Sequence, residues 1–238
     1  MSEGSSRYKA LKRLRDMPER LSAFLQCMAA MRRIDGSVST ARAVEWVYSI
    51  QARFIRPTQN RDEILELLGI LEPLRPRTIL EIGTASGGTL FLLSRVAAPD
   101  AVLVSIDLPG GEFGGGYGRW RTPLYRSFAR GDQRLFLIRA DSHHVKTLQR
   151  LQTVISHGEL DFLFIDGDHT YEGVRHDFEM YGRLVRAGGW IGFHDILPDP
   201  SDTMNEVHRF WRRIKDVHPH REIIGNRSGK YGIGLIRA

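Results

Sequence analysis

From Thr78 onward, short unbroken apolar runs alternate with longer segments whose apolar positions recur at helical spacing. The runs Thr78–Ile82, Ala101–Ile106, Leu135–Arg139, Leu160–Ile165 and Trp190–Phe193 predict five strands, apolar enough to be covered on both faces. Helices are expected from Leu90, over Val145–Ile155, over Tyr171–Val185 and over Asn205–Val217. Arg221–Ile224 and Tyr231–Ile236, joined by the polar stretch Gly225–Lys230, predict a closing hairpin. Alternation of this kind builds a mostly parallel sheet, here with one antiparallel strand at its C-terminal side. Ahead of it the pattern is helical. Leu21, Phe24, Leu25 and Met28 share one spacing, and Ser39 or Thr40 opens a helix carrying Val44, Val47 and Ile50. Asn60-Arg61-Asp62-Glu63 reads as a capping box for Ile64–Leu71, which Pro73 and Pro76 close. The expected division is a helical extension over 1–59 and an α/β domain over 60–238.

Composition narrows the class. Of 238 residues 42% are hydrophobic and 26% charged, as in a soluble globular protein. The single cysteine, Cys27, excludes a disulfide framework and a cysteine-rich zinc site, and its apolar helical setting predicts burial. No run is long enough to span a membrane. Leu21–Met31 is fairly apolar after a basic start, but Asp16, Glu19 and Gln26 interrupt it and Arg32-Arg33 follow, unlike a secretory signal. A cytoplasmic protein is expected. The net charge of +6 owes much to Arg7, Lys9, Lys12, Arg13 and Arg15. A solvated helix face accounts for them better than an RNA-binding arm, because the other basic residues are dispersed without aromatic interleaving. A nucleic-acid partner is therefore not expected.

The candidate chemistry centres on Glu81-Ile82-Gly83-Thr84-Ala85-Ser86-Gly87-Gly88, between the first strand and its helix. Glycines there let a ligand approach the backbone, and the helix start offers free N–H groups. The dehydrogenase fingerprint fails, since Ala85 occupies the place of its second glycine. Glu81, Gly83 and Gly87 instead match acid-x-Gly-x-x-x-Gly, and here the chain resembles the class I S-adenosylmethionine-dependent methyltransferases. The resemblance covers roughly residues 60–238. It implies a Rossmann-like, mostly parallel seven-stranded sheet with a C-terminal antiparallel hairpin, and S-adenosylmethionine as cofactor. Thr84 and Ala85 then belong to the cofactor turn. Asp107, 24 residues beyond Gly83 at the second strand end, suits the ribose hydroxyls. Asp141 and Ser142 match the position contacting adenine, although Asp-Ser before a helix is also an ordinary cap.

Acids or histidines close nearly every strand: Glu81, Asp107, Asp141, Asp166, Asp168, His169, His194 and Asp195. Ligands of open α/β sheets bind at that edge. Methyl transfer to an alcohol needs a group to take its proton, and histidine suits that near neutral pH. Asp166-x-x-His169 resembles the metal-dependent sugar O-methyltransferases of the macrocin and mycinamicin type, and the rhamnosyl and cephalosporin-biosynthesis O-methyltransferases. The resemblance implies Asp166 as a metal ligand that also borders the cofactor, His169 as base, and an acidic pair of ligands at the fifth strand end. This chain has His194-Asp195 there. Asp195 can serve as ligand, while His194 disfavours magnesium relative to manganese and is a second candidate acid/base. A cap for the helix at Tyr171 is the plain alternative for His169.

Six glycines between Pro109 and Arg121 suggest a lid, with Tyr117, Arg119, Trp120 and Arg121 to hold a substrate. The arginines would fit a phosphate-bearing acceptor such as a nucleotide sugar. His143 and His144 are neighbours that would point apart on a helix, and His208, His218 and His220 show no partner pattern. The expected activity is methyl transfer to a small-molecule hydroxyl, on a sugar or natural product, with divalent metal assistance open. An RNA methyltransferase and a non-catalytic cofactor binder are the rivals. The front helices could pack on the domain, cover the site or form a homo-oligomer contact.

Overall fold

The computed structural model describes residues 17–31, 33–34, 38–111, 113, 116–156, 158–225 and 230–238. The basic run Arg7–Arg15 and the hairpin tip 226–229 lie outside them. Seven strands form one sheet: β1 (Thr78–Ile82), β2 (Val102–Asp107), β3 (Arg134–Arg139), β4 (Leu160–Ile165), β5 (Val185–His194), β6 (His220–Ile223) and β7 (Ile233–Arg237). Their order is β3-β2-β1-β4-β5-β7-β6. β1 pairs in parallel with β2 and β4, and β7 runs antiparallel to both β5 and β6. This is the sheet expected from the sequence, with its order reversing between β1 and β4.

The continuous apolar runs follow from cover on both faces. Ile79, Leu103, Phe162 and Phe164 face one core, while Leu80, Val104, Leu163 and Ile165 face the other. The first core is roofed by α1 (Met17–Met31), α2 (Thr40–Val47), α3 (Arg61–Leu71) and α4 (Gly88–Val96). The second lies under α6 (Val145–Val154), α7 (Tyr171–Tyr181) and α8 (Val207–Ile214). A short α5 (Thr122–Arg126) precedes β3. Cys27, Met31, Val44 and Val47 of the front helices share a cluster with β1 and α4. Cys27 is fully buried, as its setting predicted. Two residues of the predicted faces turn out: Leu25 is 56% exposed and Ile50, in a 3₁₀ turn after α2, is 77% exposed. Among the described residues no helix is long and apolar enough to cross a membrane.

Two boundaries shift by four residues or more from the sequence pattern, and one cap differs. β5 begins at Val185 rather than Trp190, because the chain crosses Gly188-Gly189 within the strand through a register irregularity opposite Asp161. The helix at Tyr171 accordingly stops at Tyr181. Asn60 does cap α3, accepting from the Asp62 N–H at 2.9 Å, but Glu63 does not complete the box. Its fully buried carboxylate accepts instead from the Gly225 and Gly232 N–H groups, fastening the β6–β7 connection to α3.

Candidate active site

At the sheet's reversal point β1 turns directly over the end of β4. Gly83 has φ 87°, and a Cβ there would stand 1.9 Å from the Asp166 carbonyl oxygen, so only glycine fits. Gly87 also has φ 87° and caps α4 against the Tyr125 ring. Acids hold the turn. Thr84 Oγ1 donates to Glu81 Oε2 at 2.7 Å and lies 2.6 Å from Ser105 Oγ. Asp107 Oδ2 accepts from the Thr84 and Ala85 N–H groups at 2.8 and 2.7 Å. Burial raises the Glu81 carboxyl well above its ordinary range and the Asp107 carboxyl above its own, against hydrogen bonds that lower both.

This turn forms one wall of a cavity of about 880 Å³, within the span of roughly 300–1,000 Å³ common for small-molecule sites. Gly83, Thr84, Ala85, Asp107, Asp141, Ser142, Asp166, His169, His194 and Asp195 all line it. Glu81 and Gly87 do not: the first lies beneath the turn and the second shapes it. Asp168, Asp199 and Asp202 join the wall, and among the described residues no lysine or arginine does.

Two histidines and two aspartates converge where β4 and β5 end. His169 Nε2 lies 3.5 Å from Asp166 Oδ1, and its Nδ1 lies 3.3 Å from Asp195 Oδ2. His194 Nδ1 stands 3.1 Å from Asp166 Oδ1 and 3.0 Å from Asp195 Oδ1. Asn205 donates to Asp195 Oδ2 at 2.7 Å. Asp195 has φ 63°, an uncommon left-handed conformation for a non-glycine residue. Burial works against both imidazolium ions, but the two carboxylates outweigh it and raise His169, and His194 much further. Burial likewise opposes the Asp166 carboxylate, and the histidines outweigh it and hold its pKa low. His194 Nδ1 and Nε2 and Asp195 Oδ1 are buried without an aligned hydrogen-bond partner among the described residues. Atoms of Asp166, His169 and Asp195 lie within 4.8 Å of one another. Two carboxylates and one imidazole suit a borderline divalent ion such as manganese.

Several local assignments change. The cap of α7 is Thr170, which accepts from the Gly173 N–H, so His169 is free of that duty. Asp141 Oδ1 accepts from the His143 N–H, and His144 is the cap of α6. The glycine-rich loop contributes Gly111, Phe113 and Gly116 to the wall, and the Phe113 ring stacks on His169 at 4.9 Å. Its basic residues Arg119 and Arg121 do not line the cavity. Arg121 donates to Phe54 O at 2.8 Å and lies over Trp120, and Tyr117 is buried.

Several wall residues escaped the sequence pattern, Gln59 and Tyr231 among them. Gln59 donates from Nε2 to Asp166 Oδ2 and accepts from Thr89 Oγ1 at 3.1 Å, linking the front segment to the β4 end. Tyr231, at φ 73°, stacks on His194 with ring centroids 5.7 Å apart.

Residues 80–196 match the family described as a methyltransferase domain. An uncharacterized protein, y4gI, of Sinorhizobium fredii is 27% identical over 171 residues, covering 70% of this chain and 18% of that protein. The chain spans less than a fifth of the curated relatives it matches. Among solved structures, an O-methyltransferase from Bacillus cereus in complex with S-adenosylhomocysteine superposes with a TM-score of 0.58 at 20% identity, over 84% of this chain and 91% of that one. CalS11, a TDP-rhamnose 3'-O-methyltransferase of calicheamicin biosynthesis, gives 0.57 at 19% identity over 83% and 92%. Residues 80–196 thus match a methyltransferase domain, and the chain shares the fold of class I S-adenosylmethionine-dependent methyltransferase structures.

Proposed function

We propose that the protein transfers the methyl group of S-adenosylmethionine to a hydroxyl of a small molecule, a sugar or a natural product. The observation that carries this reading is His169, set on the cavity wall between Asp166 and Asp195 and one strand from the glycine turn. The cofactor would lie along Gly83–Ala85, Asp107 and the Asp141–Ser142 turn. Its methyl carbon would then face the β4 and β5 ends. The acceptor oxygen forms the new C–O bond as the S–CH₃ bond breaks and S-adenosylhomocysteine leaves. The hydroxyl proton passes to His169, with His194 behind it as the second acid/base group. Asp166 and Asp195 fix the His169 ring from both sides, and Phe113 stacks over it.

Asp166 and Asp195 would hold a divalent ion, with His169 left as the base, and the ion would supply Lewis acidity toward the acceptor oxygen. Residues 1–59 are proposed as an extension that completes the pocket, since Pro57, Thr58 and Gln59 line it. The deciding experiment is a titration with S-adenosylhomocysteine, with and without manganese, followed by an acceptor screen for labelled methyl transfer. No cofactor affinity under any condition would overturn the reading.

A further inference from the structure

The proposed activity leaves open what carries the hydroxyl, and the wall's charge bears on it. We infer that the acceptor is phosphate-free, a neutral or amine-bearing sugar or polyol, and that acids at the acceptor end of the cavity exclude sugar nucleotides. The inference rests on the methyl-transfer reading of this same cavity.

Seven aspartates line the cavity, and no lysine or arginine does among the described residues. A divalent ion and the cofactor's sulfonium would together add three positive charges, which leaves the wall acidic. Such a cleft concentrates cations and repels anions, because its low-dielectric walls focus the field. The acids are not confined to the cofactor end. The segment 199–205 runs beside the catalytic cluster, as Asn205 bonds Asp195 and the Glu206 N–H bonds the His169 carbonyl at 2.8 Å. It brings Asp199 and Asp202 to the acceptor side. Hydrogen bonds from Ser201 and Lys230 hold Asp199 low, at about 2, so it stays ionised. Lys230 meets it at 2.9 Å from outside the wall. Asp202 is exposed and forms no ion pair among the described residues.

Among the described residues, the arginines of the glycine-rich loop and of the β3 end that could have received a diphosphate are directed elsewhere. Arg121 is spent on Phe54 O and on the Trp120 face, and Arg139 donates to the Tyr117 carbonyl. What the acceptor end offers instead is Tyr231, 37% exposed and stacked on His194. An aromatic face beside carboxylates suits the C–H face of a sugar ring or an ammonium group, not a phosphate. Asp195 Oδ1 and His194 Nε2, in side chains more than nine-tenths buried, have no aligned hydrogen-bond partner among the described residues and can meet hydroxyl or amine groups.

The test uses the full chain saturated with S-adenosylhomocysteine, so that only the acceptor end is open. Thymidine diphosphate is titrated calorimetrically at low and physiological salt. The wild type should show no binding in the millimolar range. Asp202→Lys should raise affinity by on the order of tenfold or more, an effect that salt weakens. Asp199→Asn, which removes one carboxylate charge from the wall, should act in the same direction. Both sites lie in a surface segment, and unchanged S-adenosylhomocysteine affinity certifies the fold. Measurable binding of thymidine diphosphate by the wild type, or no gain in either variant, overturns the inference. Loss of S-adenosylhomocysteine binding by the wild type would instead strike the underlying methyl-transfer reading. In turnover, methyl transfer to a sugar nucleotide in preference to the same sugar as a phosphate-free glycoside would also overturn it.

Discussion

His169 Nδ1 lies 3.3 Å from Asp195 Oδ2, a contact that joins the loop after β4 to the end of β5. With Asp166 at its other nitrogen, the ring is held at both ends and stacked by Phe113. Geometry fixed this firmly suits proton transfer. His169→Gln should lower turnover by about 10²–10⁴-fold, the usual contribution of a positioned base. Affinity for S-adenosylhomocysteine should stay near that of the parent. Steady-state rates at saturating cofactor check this, and near-normal turnover by the folded variant would move the role to His194.

Removal of divalent ions should abolish turnover if Asp166 and Asp195 bind a metal. Manganese should restore it better than magnesium, because the His194 imidazole stands beside both carboxylates. Asp195→Asn should weaken manganese binding, read by paramagnetic relaxation of water protons without any acceptor. Full activity after exhaustive chelation would leave the base role standing and remove the metal.

Asp107 has two duties, and its substitution should show both. One oxygen receives two turn amides, while the residue also borders the cavity. Asp107→Ala should weaken cofactor binding by about 1.5–3 kcal/mol, as for hydrogen bonds to a charged group. It should also cost about 1–3 kcal/mol of stability, mainly through the buried Thr84 N–H left unpaired. Calorimetry and denaturant melts separate the two, and unchanged affinity in a folded variant would take Asp107 out of the cofactor site.

The sheet and its acidic rim were legible because both follow from local pattern. Buried strands show as apolar runs, and the residue after each run falls at the ligand-binding edge. Gln59 was not legible, because it reaches Asp166 across 107 positions from a loop with no periodic signal. Tyr231 sits in a hairpin connection whose left-handed turn places its ring on His194, which no spacing encodes. Arg119 and Arg121 misled for the opposite reason. They are close to the site in sequence, but a 3₁₀ turn over Arg119–Arg121 directs Arg121 to the Phe54 carbonyl.

His143 stands 3.4 Å from the fully buried Asp177 and stacks on His176 at 4.7 Å. The Asp177 carboxylate raises the His143 pKa above 6.5, against the opposing effect of burial. The folded state therefore binds this proton more tightly than the unfolded chain. The resulting stability is complete below about pH 6.5 and is lost as pH rises through the raised value. Thermal melts from about pH 6 to pH 9 should show that decline, and His143→Gln should flatten it. An unchanged slope in the variant would detach the pair from stability.

Gly83 and Gly110 separate backbone strain from steric contact. Both have positive φ, 87° and 77°, so alanine at either should cost about 1–3 kcal/mol for the left-handed conformation. At Gly83 the new methyl group would collide, 1.9 Å from the Asp166 carbonyl, whereas among the described residues nothing lies within 4 Å of a Cβ at Gly110. Gly83→Ala must therefore push the end of β4 away from the turn and carry the Asp166 side chain off its contacts with His169 and His194. It should lose more stability than Gly110→Ala, and it alone should lose cofactor affinity and turnover together. Denaturant melts give the first comparison and calorimetry with S-adenosylhomocysteine the second. Equal losses in the two variants would mean that strain alone acts at Gly83, and that its approach to Asp166 does not hold the two halves of the site together.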